Sequence, residues 1–303
     1  MGLLSIPVQG SGAQEQAAEG GAPDIQGMLM HHLADGKEIE FEILGRGVVL
    51  HLPEWEPLRI AGLTLDLSPT KHVVFMLAAA VALLLVMIPL ARLTRARYTE
   101  RAPRGLANAV EAMVLFFRDE VVRRNIGHGA DKYTPYILTL FFFVLAMNMF
   151  GLVPFGSTAT ANLSVTGALA LVSFVVVEIS GMRTLGVKGY MGTIFYAPPG
   201  MPKLGQAAML VILTPIELLG KLTKPFALTI RLFANMIAGH TLVLSILGMI
   251  FVFTSMALGK WVIAGASLGM TWGIMVLEVF VAFLQAYIFA MLTAVFIGLI
   301  RQH

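Results

Sequence analysis

The chain has 303 residues, of which 57% are hydrophobic and only 13% charged, with a formal net charge of +3. A mean hydropathy of +0.80 on that composition describes a polytopic membrane protein and excludes a soluble domain wrapped around one core. There is no cysteine, which excludes disulfide and thiolate chemistry.

Residues 1–27 are rich in Gly, Ala, Gln and Pro and are expected to be poorly ordered. They lack the basic-then-apolar pattern of a cleaved signal peptide, so they are read as part of the mature chain. From Lys37 to Leu67 apolar and polar residues alternate (Ile39, Phe41, Ile43, then Ile60, Leu63, Leu65), with Pro53, Pro57 and Pro69 as punctuation. That pattern predicts short strands or an extended segment at the membrane edge. Residues 1–70 carry ten acidic and three basic residues and form a separate acidic segment; residues 71–303 form the membrane domain.

The first span is placed at about 73–93 and is followed at once by Arg92, Arg95, Arg97, Arg101 and Arg104. Residues 92–132 hold nine basic and five acidic residues. The isoelectric point near 9.2 is therefore a positive-inside bias, which puts the N-terminus outside, and no nucleic acid is expected as a partner. Residues 105–123 mix Val110, Met113, Val114, Phe117 and Val121 with Glu111, Arg118, Asp119 and Glu120, and predict an amphipathic helix on the cytoplasmic surface. Spans at 136–153 and 163–180 form a hairpin over a short uncharged outer loop, with Glu178 near the inner end. Arg183, Lys188 and Lys203 mark an inside loop broken by Pro198, Pro199 and Pro202.

Two long apolar tracts close the chain, at 205–258 and 261–301. Length alone allows two spans in each, and Pro215 and Pro225 do not force a reversal. Read as single helices, forty residues rise ~60 Å against a ~30 Å hydrocarbon core, which demands a tilt near 60°, beyond the usual ~0–40°.

Arg231 lies deep in the first tract. A guanidinium keeps its proton at ordinary pH, and burying it at membrane depth costs at least ~2.5–3.5 kcal/mol. A snorkelling Arg belongs near a helix end, and Arg231 is not near one. On a helical wheel Gly220, Ala227, Ala234, Ala238 and Ser245 fall within roughly 60° of Arg231, as do Glu217 and Lys224, so a charge sits in a lane of small residues that admits a close neighbour. His240 lies on the opposite side of the wheel. Glu278 is the only charge from Trp261 to Ile300 and shares a face with Gln285, seven residues on. A His and a Glu on adjacent helices make a protonatable pair. Gly265, Gly269 and Gly273 repeat at a spacing that permits tight helix packing.

The run Pro225 to His240, with Pro215-Ile216-Glu217-Leu218-Leu219 before it, resembles subunit a of the rotary F-type ATP synthase. So do Leu284-Gln285-Ala286-Tyr287-Ile288-Phe289 and Asn162-Leu163-Ser164-Val165-Thr166, and the likeness runs from about residue 70 to the C-terminus. The resemblance implies an all-α membrane protein: one N-terminal span, an interfacial helix, a transmembrane hairpin, and two long tilted helices against a ring of c subunits. It also implies the b-subunit peripheral stalk, the F1 sector and the lipid bilayer as partners, in a bacterial inner membrane.

By resemblance Arg231 matches the essential arginine facing the ring, and Asn235 and Gln285 match polar residues near it. His240 and Glu278 match a relay pair whose order is exchanged relative to some members, as in the mitochondrial pattern. Glu217 and Lys224, with Glu178, fall on the side of the inner exit. Some members carry an acidic residue where this chain has Thr160, which leaves Asn162 and Ser164 as candidates for the outer entry. No bond is made or broken in this chain, and no catalytic residue, metal or cofactor is expected. The alternative class is a secondary transporter or antiporter with an intramembrane Arg and acid. It predicts an inverted repeat and matched broken helices, which the sequence does not display.

Overall fold

The computed structural model describes residues 35–36, 38–43, 46–55, 58–60, 63–65, 68–97, 105–152, 158–195, 202–252 and 259–301. The segment expected to be poorly ordered, residues 1–27, lies outside the described residues, as do Pro198 and Pro199.

The alternating stretch forms two antiparallel hairpins. β1 (Glu38–Ile43) pairs with β2 (Arg46–His51), setting Phe41 opposite Val48, and β3 (Leu58–Ile60) pairs with β4 (Leu63–Leu65). Beyond them every regular element among the described residues is helical: α1 (Lys71–Arg97), α2 (Leu106–Phe116), α3 (Thr134–Gly151), α4 (Leu163–Ile194), α5 (Lys203–Val252) and α6 (Gly259–Arg301). Five of these, all but α2, are long and apolar enough to cross a membrane, so the membrane part is all-α, as the sequence predicts.

Three boundaries differ from the hydropathy reading. The residues after α2 continue as a π-helical turn, Phe117–Arg123, that buries Phe117, Val121 and Val122 and leaves the intervening charges outside. Those charges are linked. Arg123 donates to Asp119 at 2.9 Å and to Asp131 at 2.9 Å, and Arg124 donates to Glu120 at 3.1 Å. Hydrogen bonds from Arg118 to Asp119 and from Arg123 to Asp131 hold both aspartates below the usual carboxylate range.

Second, α4 runs past the expected end near 180. Arg183 and Lys188, expected in a loop, sit on helix on either side of Gly186. Gly186 has φ 71° and ψ 163°, a non-helical conformation open essentially to glycine alone, so α4 is two helical stretches joined by a kink at this residue. Third, the two C-terminal tracts are single helices of 50 and 43 residues, with Pro215 and Pro225 inside the first. At ~1.5 Å per residue these are roughly 75 and 65 Å long, more than an upright span requires.

The chain gathers into two compact units, and the spans contribute segments to both. The first comprises Met1–Val81, Ala146–Asn162 and Ala234–Phe283; the second comprises Ala82–Leu145, Leu163–Phe233 and Leu284–His303. In the second unit the π turn is clamped on two sides. Phe117 packs on Phe141 with ring centroids 4.2 Å apart, and α6 crosses the backbone at Asn125, where the space beside Gly298 admits no side chain. Arg301 then donates to the His128 carbonyl at 2.8 Å and lies over the Tyr133 ring. Ala286, Ala290 and Ala294, all fully buried, continue the Gly298 stripe at four-residue spacing and let α6 lie close to its neighbours.

Candidate functional site: two polar clusters and an exposed arginine

Arg231 is exposed, and among the described residues no hydrogen bond or ion pair engages it. The small residues that share its wheel face, Ala227, Ala234, Ala238 and Ser245, are exposed too, as are Asn235 and Glu217. Around them Leu218, Leu222, Phe226 and Leu242 also face out, and only 11% of the most apolar window of α5 is buried within the chain. An apolar helix face with an unanswered guanidinium requires a cover that the described residues do not supply.

In the first unit, polar groups gather where α3, α5 and α6 contribute to it. The Thr158 hydroxyl meets His240 Nε2. Thr160, fully buried, donates to Asn148 Oδ1 at 2.8 Å, and Asn148 Nδ2 donates to the Ala282 carbonyl at 3.2 Å. The Glu278 carboxylate lies where a side chain on Gly239 would have to go. His240 and Glu278 therefore stand on facing helices of one unit, each beside its own neighbour; among the described residues no hydrogen bond joins them directly. Asn162 donates to Asp35 at 2.7 Å, whereas Ser164 is exposed at the start of α4. Gln285, in the second unit, is 5% exposed and so covered, unlike Arg231.

The second unit holds the other cluster. Lys221, 7% exposed, donates to the Tyr190 hydroxyl at 2.7 Å and lies 3.6 Å from the Glu178 carboxylate. Lys224 stands over the Phe296 ring at 5.1 Å. Glu178, Lys221, Lys224 and Ser173 line one cleft of about 370 Å³. Tyr136 and Ser173, 3.1 Å apart, and Ser180 and Tyr133, 2.6 Å apart, extend the polar row between α3 and α4. Of the residues assigned to an inner exit, Glu178 and Lys224 share this cleft, while Glu217 stands exposed on α5.

Sequence reading missed Lys221, Thr158, Asn148, Asp35 and His72. Lys221 sits about 80° from Arg231 on the wheel, just outside the lane that drew notice. Asn148 gave a usable signal, a lone amide in an apolar span. Thr158 and Asp35 gave none, because their partners are distant in sequence.

Residues 73–298 match the family model described as ATP synthase A chain. A protein named ATP synthase subunit a from Anaeromyxobacter dehalogenans (strain 2CP-C) is 46% identical over 287 residues, covering 92% of this chain and 72% of the relative. Another of that name from Chloroherpeton thalassium is 43% identical over 274 residues, covering 90% and 76%. ATP synthase subunit a 2 of Chlorobaculum tepidum is 42% identical over 304 residues, covering 99% and 80%. The matched residues run from α1 into α6 and include both polar clusters and Arg231, and the chain belongs to the ATP synthase A chain family, as an integral membrane protein.

Proposed function

We propose that this chain is the stationary proton-conducting subunit of the Fo motor, with Arg231 as the fixed charge that faces a ring of c subunits. The observation that carries this reading is the exposure of Arg231, without a partner among the described residues, in a lane of exposed small residues on α5. The missing partner has to be anionic, and it has to approach closely enough to shield the guanidinium from lipid. An intramembrane carboxylate on another subunit meets both demands.

The mechanism is electrostatic. A ring carboxylate must be neutral to face lipid and is tolerated as an anion only beside a polar surface. Protons enter from outside along the first polar cluster, Thr158, His240 and Glu278, with Gln285 further along α6, and neutralise an arriving carboxylate. They leave through the second cluster, Glu178, Lys221 and Lys224, with Glu217 toward the inner surface. Arg231, with Asn235 one turn on, bars direct passage from entry to exit. Its permanent charge favours the ionised carboxylate and repels a free proton, so protons cross only as the ring turns. Each proton moved through 100 mV supplies about 2.3 kcal/mol. No bond is made or broken in this chain; the F1 sector, held by a b-subunit stalk, converts the rotation. The location is a bacterial inner membrane, with the N-terminus outside and the C-terminus in the cytoplasm.

Arg231→Ala is expected to abolish ATP-driven proton pumping in membrane vesicles while the complex still assembles. Arg231→Lys should also fail, because an ammonium loses its proton when desolvated. Robust coupled pumping by the alanine variant would overturn the assignment.

A further inference from the structure

Within the first unit Asp35, at the edge of the acidic N-terminal segment, joins residues from two other parts of the chain. Asp35 Oδ1 lies 2.7 Å from Nδ1 of His72, in the first turn of α1, and Asp35 Oδ2 accepts a hydrogen bond from Asn162 Nδ2 at 2.7 Å. Three residues distant in sequence thus share one carboxylate. The backbone holds the arrangement, since Lys71 N–H donates to the Gly36 carbonyl at 2.9 Å and Gly36 N–H donates to Asp35 Oδ1 at 3.0 Å.

The exposures within this group differ sharply. The Asp35 side chain is 34% exposed, whereas the His72 side chain is 3% exposed. A carboxylate open to water is in contact with an imidazole closed to it. From Asn162 the chain runs back through the 3-10 turn Ala159–Ala161 to Thr158, whose hydroxyl meets His240. Four residues of 3-10 helix cover roughly 8 Å, so the carboxylate contact and the His240 contact bracket a single turn. Thr160, inside that turn, is fully buried and committed to Asn148, so it offers no opening to water.

We infer that Asp35 and His72 are the proton-collecting mouth of the outer path, supplied by the N-terminal segment and seated on Asn162. The inference rests on the proposed path through His240 and Glu278. Asp35 takes a proton from outer water and passes it to His72 Nδ1; the imidazole then releases the proton on its other nitrogen inward toward the Asn162–Thr158 turn, and one proton in and one out return the pair to its starting charge after the ring tautomerises. An imidazole suits this role because it accepts a proton at one ring nitrogen and releases one from the other. Among the described residues the other charged group acting on His72 is Lys71, its neighbour on α1, whose positive charge disfavours a second proton on the imidazole.

The alternative is that Asp35 only anchors the segment. The test separates the two by ATP synthesis in proteoliposomes bearing the whole complex with the F1 sector outward, at a constant driving force, as the pH of the lumen is varied. Asp35→Asn keeps an oxygen for Asn162 and therefore keeps the anchor, but it cannot exchange a proton. Its rate is expected to match that of the unaltered complex near about pH 5.5 and to fall of order tenfold near about pH 8, where free protons are scarce. Asp35→Glu should restore the alkaline rate. His72→Gln should reproduce the Asp35→Asn profile. An Asp35→Asn profile identical to that of the unaltered complex at every pH would overturn the inference. So would a uniform loss at every pH with less complex in the membrane, which is the signature of an anchor. Glu278→Gln is run beside them: if it leaves synthesis intact while Asp35→Asn shifts the profile, the collecting pair stands and the inner part of the path fails.

Discussion

Two residues of α5, eight apart, carry opposite demands. Arg231 is exposed and unanswered within the chain, while Gly239 is pressed against the Glu278 carboxylate. A methyl group at position 239 has no room beside that carboxylate. The carboxylate ends a flexible side chain and can swing aside, so Gly239→Ala should cost little stability. It should, however, displace the one acidic group between Trp261 and Ile300. Proton-driven ATP synthesis is expected to fall at least tenfold, as displacement of a positioned proton-transfer group requires, with unchanged amounts of complex on a native gel. Unimpaired synthesis would show that the position of Glu278 is not critical. Arg231 and Glu278 were legible in the sequence as candidates, since each is a charge set amid apolar residues. The constraint at Gly239 was not, because a glycine's neighbour across the fold leaves no mark in its own segment.

At the scale of elements, α6 bears two stripes of small residues with opposite fates. Gly265, Gly269 and Gly273 are exposed with open space beside them, so the helix packing their spacing predicts is not made within the described chain. Ala286, Ala290, Ala294 and Gly298 are buried, Gly298 against the backbone of Asn125. Spacing announced a close approach in the first case without saying to what. The inner cluster likewise joins elements that sequence kept apart: Glu178 and Tyr190 lie on either side of the Gly186 kink in α4, and both reach Lys221 of α5. Removing the cation leaves a mostly buried carboxylate without its partner, and breaking a buried pair in this way costs about 3–5 kcal/mol. Lys221→Met should therefore lower the thermal stability of the detergent-solubilised complex, and adding Glu178→Gln should recover much of the loss. If the double variant melts no higher than Lys221→Met alone, the pair is not what stabilises these helices.

At the scale of the whole molecule, the proposed orientation, with the N-terminus outside and the C-terminus in the cytoplasm, is supported by an odd number of candidate spans among the described residues and by the basic cluster that follows α1. Because the chain has no cysteine, single cysteines report accessibility without background. Trp55→Cys, at a position 58% exposed, should react with a membrane-impermeant maleimide from the outer side of intact cells. Lys132→Cys, exposed in the 3-10 turn before α3, should react only in inverted vesicles. The reverse pattern would overturn the orientation and with it the assignment of entry and exit. The sequence by itself determined the membrane class, the number of apolar tracts, the solitary charges and the family motif, because hydropathy and the cost of a buried charge act residue by residue. Only the tertiary structure decided that Gly186 kinks α4, that Lys221 joins Glu178, and that Asp35 meets His72 and Asn162. Those outcomes depend on which distant backbones come within hydrogen-bonding reach, and no local pattern encodes that distance.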